Sequence, residues 1–363
     1  MGSLLHEEAP VIGWCCSYMP VEALESAGLV PFRLLPLPPV EMGDPYLHPN
    51  FCPYVRAIMG EGLAEAYPFL SGLVIMNTCD GMRRLFDAWS YFHDLPFVYL
   101  MDLPRVTTPA AIVCFRAEIQ NLMDRVSSHF GVSPSAETMK ASFDASNSTR
   151  VIVQRVQTLM SQGKLSLRDW EVNELFRAGA VLSRKKYDSL LERAIHESDK
   201  GISRKGVRIL LTGALLENPE IVSMVETCGG RVVVQDLCVS GRQPESPISL
   251  SEEPLMALAR HYLLRPPCAR MQENQRRIEY VVNLVRSHEV QGVIYYVLKF
   301  CDTFLYEVPV LKQILDQMGI PMLIIESEYR KGQGGGTQTR IQAFLEMLCA
   351  GTVAEDKVLS FNR

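Results

Sequence analysis

The sequence predicts an α/β protein: two doubly wound, mostly parallel α/β domains with an intervening helical section. Three observations predict it. Short apolar strands alternate with helical stretches from Val11 to about Leu103. Between Pro109 and Lys200 the spacing turns helical throughout. Alternation resumes at Val207, and a strand–Cys–Asp pattern, Asn77-Thr78-Cys79-Asp80 in the first stretch, recurs as Lys299-Phe300-Cys301-Asp302 in the second. The expected divisions are an N-terminal α/β domain over 1–108, a helical section over 109–204 and a C-terminal α/β domain over 205–363.

The elements follow in order. Val11–Cys16 reads as a strand, and Pro20 suits the first turn of a helix over Val21–Ala27, which Gly28 ends. Leu29–Leu35 is a second strand, followed by a proline-rich loop, Pro36–Pro53, and a helix over Tyr54–Ala66. Gly72–Asn77 is a strand that leads through Cys79 into a helix over Met82–Tyr91, and Pro96–Met101 is a strand. Ile112, Phe115, Ile119, Leu122 and Val126 form one helical stripe. Further helices are expected over Ser148–Gln162, Ser166–Ala178 and Lys186–Glu197.

The second unit opens with a strand over Val207–Gly213, a helix over Pro219–Cys228 and a strand over Arg231–Gln235. A polar loop, Ser240–Pro254, follows, and a helix over Gln272–Ser287 leads into the most apolar strand, which starts at Gly292 and runs toward Cys301 and Asp302. A helix over Glu307–Met318, a strand over Ile320–Ile325, a glycine-rich loop over Arg330–Gln338 and a helix over Thr339–Leu348 complete the pattern.

Composition narrows the function. The 363 residues are 47% apolar and 21% charged, with a net charge of −5. No basic stripe interleaved with aromatics is present, so no nucleic-acid partner is expected. Met1–Pro10 carries Glu7 and Glu8 and does not read as a signal peptide. No apolar run is long enough to span a bilayer, and a soluble, cytoplasmic protein is expected.

Ten cysteines is a large number for a reducing compartment, where disulfides are not expected. Cys114, Cys228 and Cys349 lie in apolar or helical contexts and read as small buried hydrophobes. Cys16, Cys52, Cys79 and Cys301 lie beside turn or polar residues near strand or loop ends. In open α/β sheets ligands bind at the carboxyl ends of strands. These four thiols are therefore either structural or a soft-metal site shared across the cleft. Their spacing is not that of a zinc ribbon or a ferredoxin. Cys16 and Cys79 each precede a helical segment, which would favour a thiolate and would equally suit a nucleophile. His48, His93 and His288 are scattered and read as ordinary loop or helix-end residues. Lys331–Arg340 could turn backbone amides toward an anion or be a plain connection. Arg83 and Arg84 could neutralise an anion or face solvent.

With these residues assembled, the chain resembles the 2-hydroxyacyl-CoA dehydratase and class I benzoyl-CoA reductase family over nearly its full length. The resemblance rests on Gly13-Trp14-Cys15-Cys16-Ser17-Tyr18-Met19-Pro20, Asn50-Phe51-Cys52-Pro53-Tyr54-Val55-Arg56, Thr78-Cys79-Asp80-Gly81-Met82-Arg83-Arg84 and Met101-Asp102-Leu103-Pro104-Arg105. In the second half it rests on Lys299-Phe300-Cys301-Asp302, Gly332-Gln333 and Thr339-Arg340.

The resemblance implies a [4Fe–4S] cluster between two α/β domains, with Cys16, Cys79 and Cys301 as ligands and one iron left open. Cys52 matches a family cysteine that is a fourth ligand, a neighbour or structural. Ser17 either hydrogen-bonds near the cluster or caps a helix. The implied partners are a homologous sister subunit, an ATP-hydrolysing iron–sulfur activator protein and an acyl-CoA substrate. In the dehydratases one electron makes a ketyl radical from the thioester carbonyl, and the 2-hydroxyl group is expelled. The reading is thus a subunit of an ATP-activated, oxygen-sensitive 2-hydroxyacyl-CoA dehydratase. Its alternatives are a benzoyl-CoA-type reductase subunit and a non-catalytic electron relay or scaffold. Double-cubane members carry further cysteines; Glu65–Phe69 lacks the one expected there, while Cys268 could serve.

Overall fold

Apolar β-branched strands that must be covered on both faces dictate parallel sheets with helical crossovers. The computed structural model describes residues 9–36, 42–198, 204–216, 219–242, 246–329 and 334–361. Its first sheet holds β1 (Val11–Cys15), β2 (Val30–Arg33), β3 (Leu70–Asn77) and β4 (Val98–Asp102), in the order β2-β1-β3-β4. Its second sheet holds β5 (Val207–Gly213), β6 (Gly230–Asp236), β7 (Gly292–Leu298) and β8 (Met322–Ser327), in the order β6-β5-β7-β8. Every pairing is parallel, and the two orders are the same when strands are counted within each sheet. The strand over Gly292–Leu298 is buried along its whole length, as its apolar run requires.

In the first half the crossovers are α1 (Val21–Ser26), α2 (Pro53–Leu63) and α3 (Asp80–Phe92). The amphipathic α3 buries Met82, Leu85 and Trp89, three and four residues apart, on one face. The helices α4 (Pro109–Phe130), α5 (Ala136–Ser161), α6 (Asp169–Ala178) and α7 (Arg184–Glu197) follow. All five residues of the expected α4 stripe are buried. They join a core cluster that runs through both sheets, whereas the far half of α5 packs with α6 and α7 in a small core of its own. The second half is completed by α8 (Glu220–Thr227), α9 (Pro254–Leu263), α10 (Asn274–Ser287), α11 (Asp302–Gln317) and α12 (Gly334–Phe361).

Several elements differ from the sequence reading, each for a local reason. The helix α5 begins at Ala136, well before Ser148, because Ser135 and Thr138 close a capping box. No helix was expected where α9 lies; Pro254 in its first turn and the Glu253 carboxylate, which accepts from the Leu255 and Met256 amides, start it. The helix α11 begins at Asp302 rather than Glu307. The helix α12 takes in Gly334–Gln338, which were expected as loop. Lys331–Gln333 of the expected anion loop, and Met1–Glu8 of the N-terminal stretch, lie outside the described residues.

One buried ion pair ties the first half to the helices. The Glu22 side chain, 1% exposed, accepts from Arg150 Nη2 at 2.6 Å, Ser146 Oγ at 2.6 Å and Tyr262 Oη at 2.7 Å. Burial alone would raise its pKa, but the Arg150 and Arg184 charges hold it at about 2, below the ordinary 4.5. A depressed carboxyl contributes stability that is present above its unfolded value and lost as pH falls through the folded one. The shift is worth about 3 kcal/mol. Wild-type unfolding free energy, followed by urea melts, should therefore decline between pH 4.5 and pH 2 more steeply than that of Glu22→Gln. At neutral pH the variant should be less stable by about 3–5 kcal/mol, since Arg150 is left buried without its partner.

Candidate functional site

The strand order of each sheet reverses between its two central strands, and such switch points are where open α/β sheets bind ligands. In the first sheet this point lies between the carboxyl ends of β1 and β3, which run directly into Cys16 and toward Cys79. In the second it lies between β5 and β7, and β7 runs toward Cys301. The two halves bring these ends together around one cavity. Cys16, Cys52, Cys238, Cys268 and Cys301 line it, and Arg270 joins it to an adjoining opening that is lined by Cys79.

Local backbone geometry aims the thiols. Cys52, Cys79 and Cys301 occupy the cap positions of α2, α3 and α11, helices of 11, 13 and 16 residues. The amide ends of these helices favour negative charge on the sulfurs. Cys16 sits at φ +82° and Phe300, next to Cys301, at φ +60°, a region that ordinary residues rarely enter. Such strain, on the order of 1 kcal/mol or more, persists only where the surroundings fix the turn. Here they do: Ser17 Oγ donates to the Cys238 carbonyl at 2.7 Å, and the Cys268 amide donates to Tyr18 Oη at 3.2 Å. Both bonds cross from one half to the other.

The buried thiols fall into two hydrogen-bonded pairs. Cys52 donates to Cys301, and that bond, with Arg270 and the Phe304 amide, draws Cys301 down to about 7 against the cost of burial. Cys268 donates to Cys238, which falls to about 6 with the added help of Arg242 and Arg33. The donors Cys52 and Cys268 are pushed well up, by those same hydrogen bonds first and by burial second. Arg242 Nη1 lies 3.8 Å from Cys238 Sγ, and its Nε donates to the wholly buried Asp236 at 2.7 Å. Arg277 binds Asp236 from the other side at 2.6 Å and Glu307 at 3.0 Å, so the Cys238 loop is braced against α10 and α11. Cys15, fully buried and raised to about 12 chiefly by burial, is a structural thiol.

Among the described residues, no group of three or more His, Cys, Asp or Glu side chains is close enough to hold a single metal ion. An iron–sulfur cluster makes a different demand. Each thiolate binds a different iron, so the ligand sulfurs stand around the cluster instead of converging on a point. The donor set fits such a group: the cavity lining holds five thiols and no carboxylate or imidazole. Its charge fits as well. Arg33, Arg265 and Arg270 each keep a buried Nε without a hydrogen-bond partner, and none forms an ion pair with a carboxylate among the described residues. Buried cations of this kind call for anionic contents. Arg270 is held by Thr78 Oγ1 at 2.7 Å, and Cys79, Cys16, Cys268 and Cys301 all act on its charge.

The structure thus gathers Cys16, Cys52 and Cys301 in one cavity and sets Cys79 at its side. Ser17 lines the same cavity, but α1 starts at Val21 behind Pro20, so Ser17 caps no helix. Arg83 and Arg84 lie elsewhere: Arg83 bonds Asn77, and Arg84 pairs with Asp80 and Asp87 at the surface. The sequence reading passed over Cys238 and the four arginines that line the cavity, Arg33, Arg242, Arg265 and Arg270. Cys238 had a signal, since it follows β6 in Leu237-Cys238-Val239-Ser240-Gly241-Arg242, a strand end running into turn residues. The arginines had none, because an arginine in a loop or at a strand end reads as a solvated charge until the two halves close over it.

The family model described as 2-hydroxyglutaryl-CoA dehydratase, D-component, matches residues 16–348. The Escherichia coli (strain K12) protein described as dehydratase subunit YjiM is 26% identical, over 93% of this chain and 91% of that protein. A benzoyl-CoA reductase subunit from Thauera aromatica is 23% identical, over 89% of this chain and 86% of its own length. The (R)-phenyllactyl-CoA dehydratase beta subunit of Clostridium sporogenes is 20% identical, over 93% and 91%.

The Cys238 loop offers a direct test. Gly241 has φ +83°, and a Cβ there would stand 1.6 Å from the Gln235 carbonyl oxygen. Gly241→Ala should displace the loop, lower the melting temperature by several degrees and loosen the thiol pairing of Cys238 with Cys268, read as faster alkylation of both by mass spectrometry.

Proposed function

This chain belongs to the 2-hydroxyglutaryl-CoA dehydratase D-component family, and we propose that it is the iron–sulfur subunit of an ATP-activated 2-hydroxyacyl-CoA dehydratase. The observation that carries this reading is the cavity of thiols and carboxylate-free arginines at the facing switch points. In this reading Cys16, Cys79 and Cys301 hold one [4Fe–4S] cluster, with Cys52 beside Cys301 as a neighbour or fourth ligand. When bound, the cluster supplies low-potential electron transfer and one open iron as a Lewis acid for a substrate oxygen.

The chain's own residues set the conditions. The ends of α2, α3 and α11 carry Cys52, Cys79 and Cys301, and at α11 the Phe304 amide, with Arg270 and Cys52, draws Cys301 toward the thiolate. Arg270 balances their charge without donating a proton. Tyr54, Met82, Leu298 and Phe304 line the cavity and exclude water from it. Ser17 Oγ, tied to Cys238 and within 3.3 Å of Arg33 Nη2, orients the turn that carries Cys16 and offers the cavity a hydroxyl. The partners are a homologous sister subunit, an ATP-hydrolysing iron–sulfur activator and the acyl-CoA.

One observation favours a second reading. Cys238 and Cys268 bring the thiols at the site to six, more than one cubane takes up. Six thiolates suit two joined cubanes, and such a site fits multi-electron reduction better than elimination of water.

Anaerobic purification separates the readings. A brown protein with about four irons per chain is expected for the single cluster and about eight for the joined pair; a colourless, iron-free protein overturns both. Cys301→Ala should abolish the cluster absorbance. Cys268→Ala should leave the iron content unchanged in the first case and lower it in the second. Reduced by its activator, the complex should convert a 2-hydroxyacyl-CoA to the enoyl-CoA, followed by chromatography.

A further inference from the structure

The single-cluster reading occupies the seam with Cys16, Cys79 and Cys301 as ligands and Cys52 beside Cys301. Cys238 and Cys268 are left without a part in it, and they face each other. Both line the thiol cavity, and the Cys268 thiol donates to the Cys238 sulfur.

The backbone fixes both members of this pair. Cys238 lies in a tight turn, closed by the Leu237 amide on the Ser240 carbonyl at 2.8 Å. Its own carbonyl accepts from Ser17 Oγ and Arg33 Nη1, each at 2.7 Å. Cys268 opens another turn, in which the Met271 amide donates to the Cys268 carbonyl at 3.0 Å, and its amide is held by Tyr18 Oη. Arg265 Nη2 ties the second segment to the first through the Arg242 carbonyl at 2.6 Å. Two thiols already in hydrogen-bond contact need little chain movement to become bonded.

Their surroundings make the two unequal. Cys268 is buried, whereas Cys238 is half-buried and has Arg242 Nη1 at 3.8 Å from its sulfur. A cation beside a partly open thiol favours the attacking thiolate. Cys238 also borders a second cavity, of about 160 Å³, behind Ser17. Cys238 is therefore the member that meets a small reagent, and Cys268 the one that resolves the product.

We propose that Cys238 and Cys268 form a redox-active dithiol, closed to a disulfide by low-molecular-weight disulfides. The Cys238 thiolate, its proton released to solvent, attacks one sulfur of the oxidant RSSR. A mixed disulfide forms, and the RS⁻ set free takes the Cys268 proton. The Cys268 sulfur then attacks Cys238 Sγ, and the second RS⁻ leaves and is protonated from solvent. Two protein thiols are oxidised and one RSSR is reduced to two RSH. The bridge ties the end of β6 to the segment that follows α9 and leaves the other four thiols of the seam free. The proposal rests on the four-iron reading in one respect, that neither thiol holds iron.

The test treats anaerobically purified full-length protein with 2-hydroxyethyl disulfide, alkylates it in guanidinium chloride and maps its peptides without reductant. The peptides that carry Cys238 and Cys268 should be joined, with iron content unchanged, and dithiothreitol should separate them. In Cys268→Ser the mixed disulfide should accumulate on Cys238; Cys268→Ala takes its place if circular dichroism shows the serine variant unfolded. Alkylation of both thiols in the treated wild-type protein overturns the proposal. So does a disulfide that forms only after a chelator has removed the iron, a result that instead supports the joined cubanes. A disulfide formed in a preparation that never held iron sinks the cluster reading and leaves the dithiol standing.

Discussion

Arginine charge that has no carboxylate to meet it is held out of water at the seam between the two sheets. Arg33, Arg265 and Arg270 are buried or largely buried there, beside six thiols, and each keeps an unsatisfied Nε. A cation in such a place is costly unless something negative sits with it. The thiols can supply that charge, because helix ends and hydrogen bonds make one member of each buried pair easier to ionise. The seam is therefore an electrostatic unit, in which neither the arginines nor the cysteines make sense alone.

The surrounding fold keeps this unit rigid. Asp236, wholly buried, ties Arg242 and Arg277 together, while Glu307 takes Arg277 and the Tyr295 hydroxyl. Removing one member of such a network leaves a buried charge, which is why it fixes one arrangement of the loops and not several. The halves are then stitched across the seam by Ser17 to Cys238, Tyr18 to Cys268 and Thr78 to Arg270. Each bond joins a strand end of the first sheet to a loop of the second.

Two sheets with the same strand order, facing each other by their switch points, give a site with thiols from both sides. Cys16 and Cys79 come from the first sheet, Cys301 from the second, and Cys238 from the edge strand β6. The relatives named as dehydratase and benzoyl-CoA reductase subunits match this chain along most of their length, so the shared frame supports more than one reduction or elimination chemistry.

By itself the sequence determined the α/β class, the alternation of elements and four of the cysteines. Those are local signals: apolar strands of period two, a stripe at Ile112, Phe115 and Ile119, and thiols set beside turn residues at strand ends. It missed the start of α11 at Asp302, since a cysteine is not read as a helix cap, and it missed α9, whose proline and Glu253 looked like loop chemistry. The pairing of Cys52 with Cys301 and of Cys238 with Cys268, the arginines around them and the cavity behind Ser17 were decided only by the tertiary structure. Each depends on residues up to 250 positions apart, such as Tyr18 and Cys268, that meet because two sheets dock by their carboxyl ends. Burial, not sequence neighbourhood, sets the charge of those groups, and burial exists only once the halves have closed.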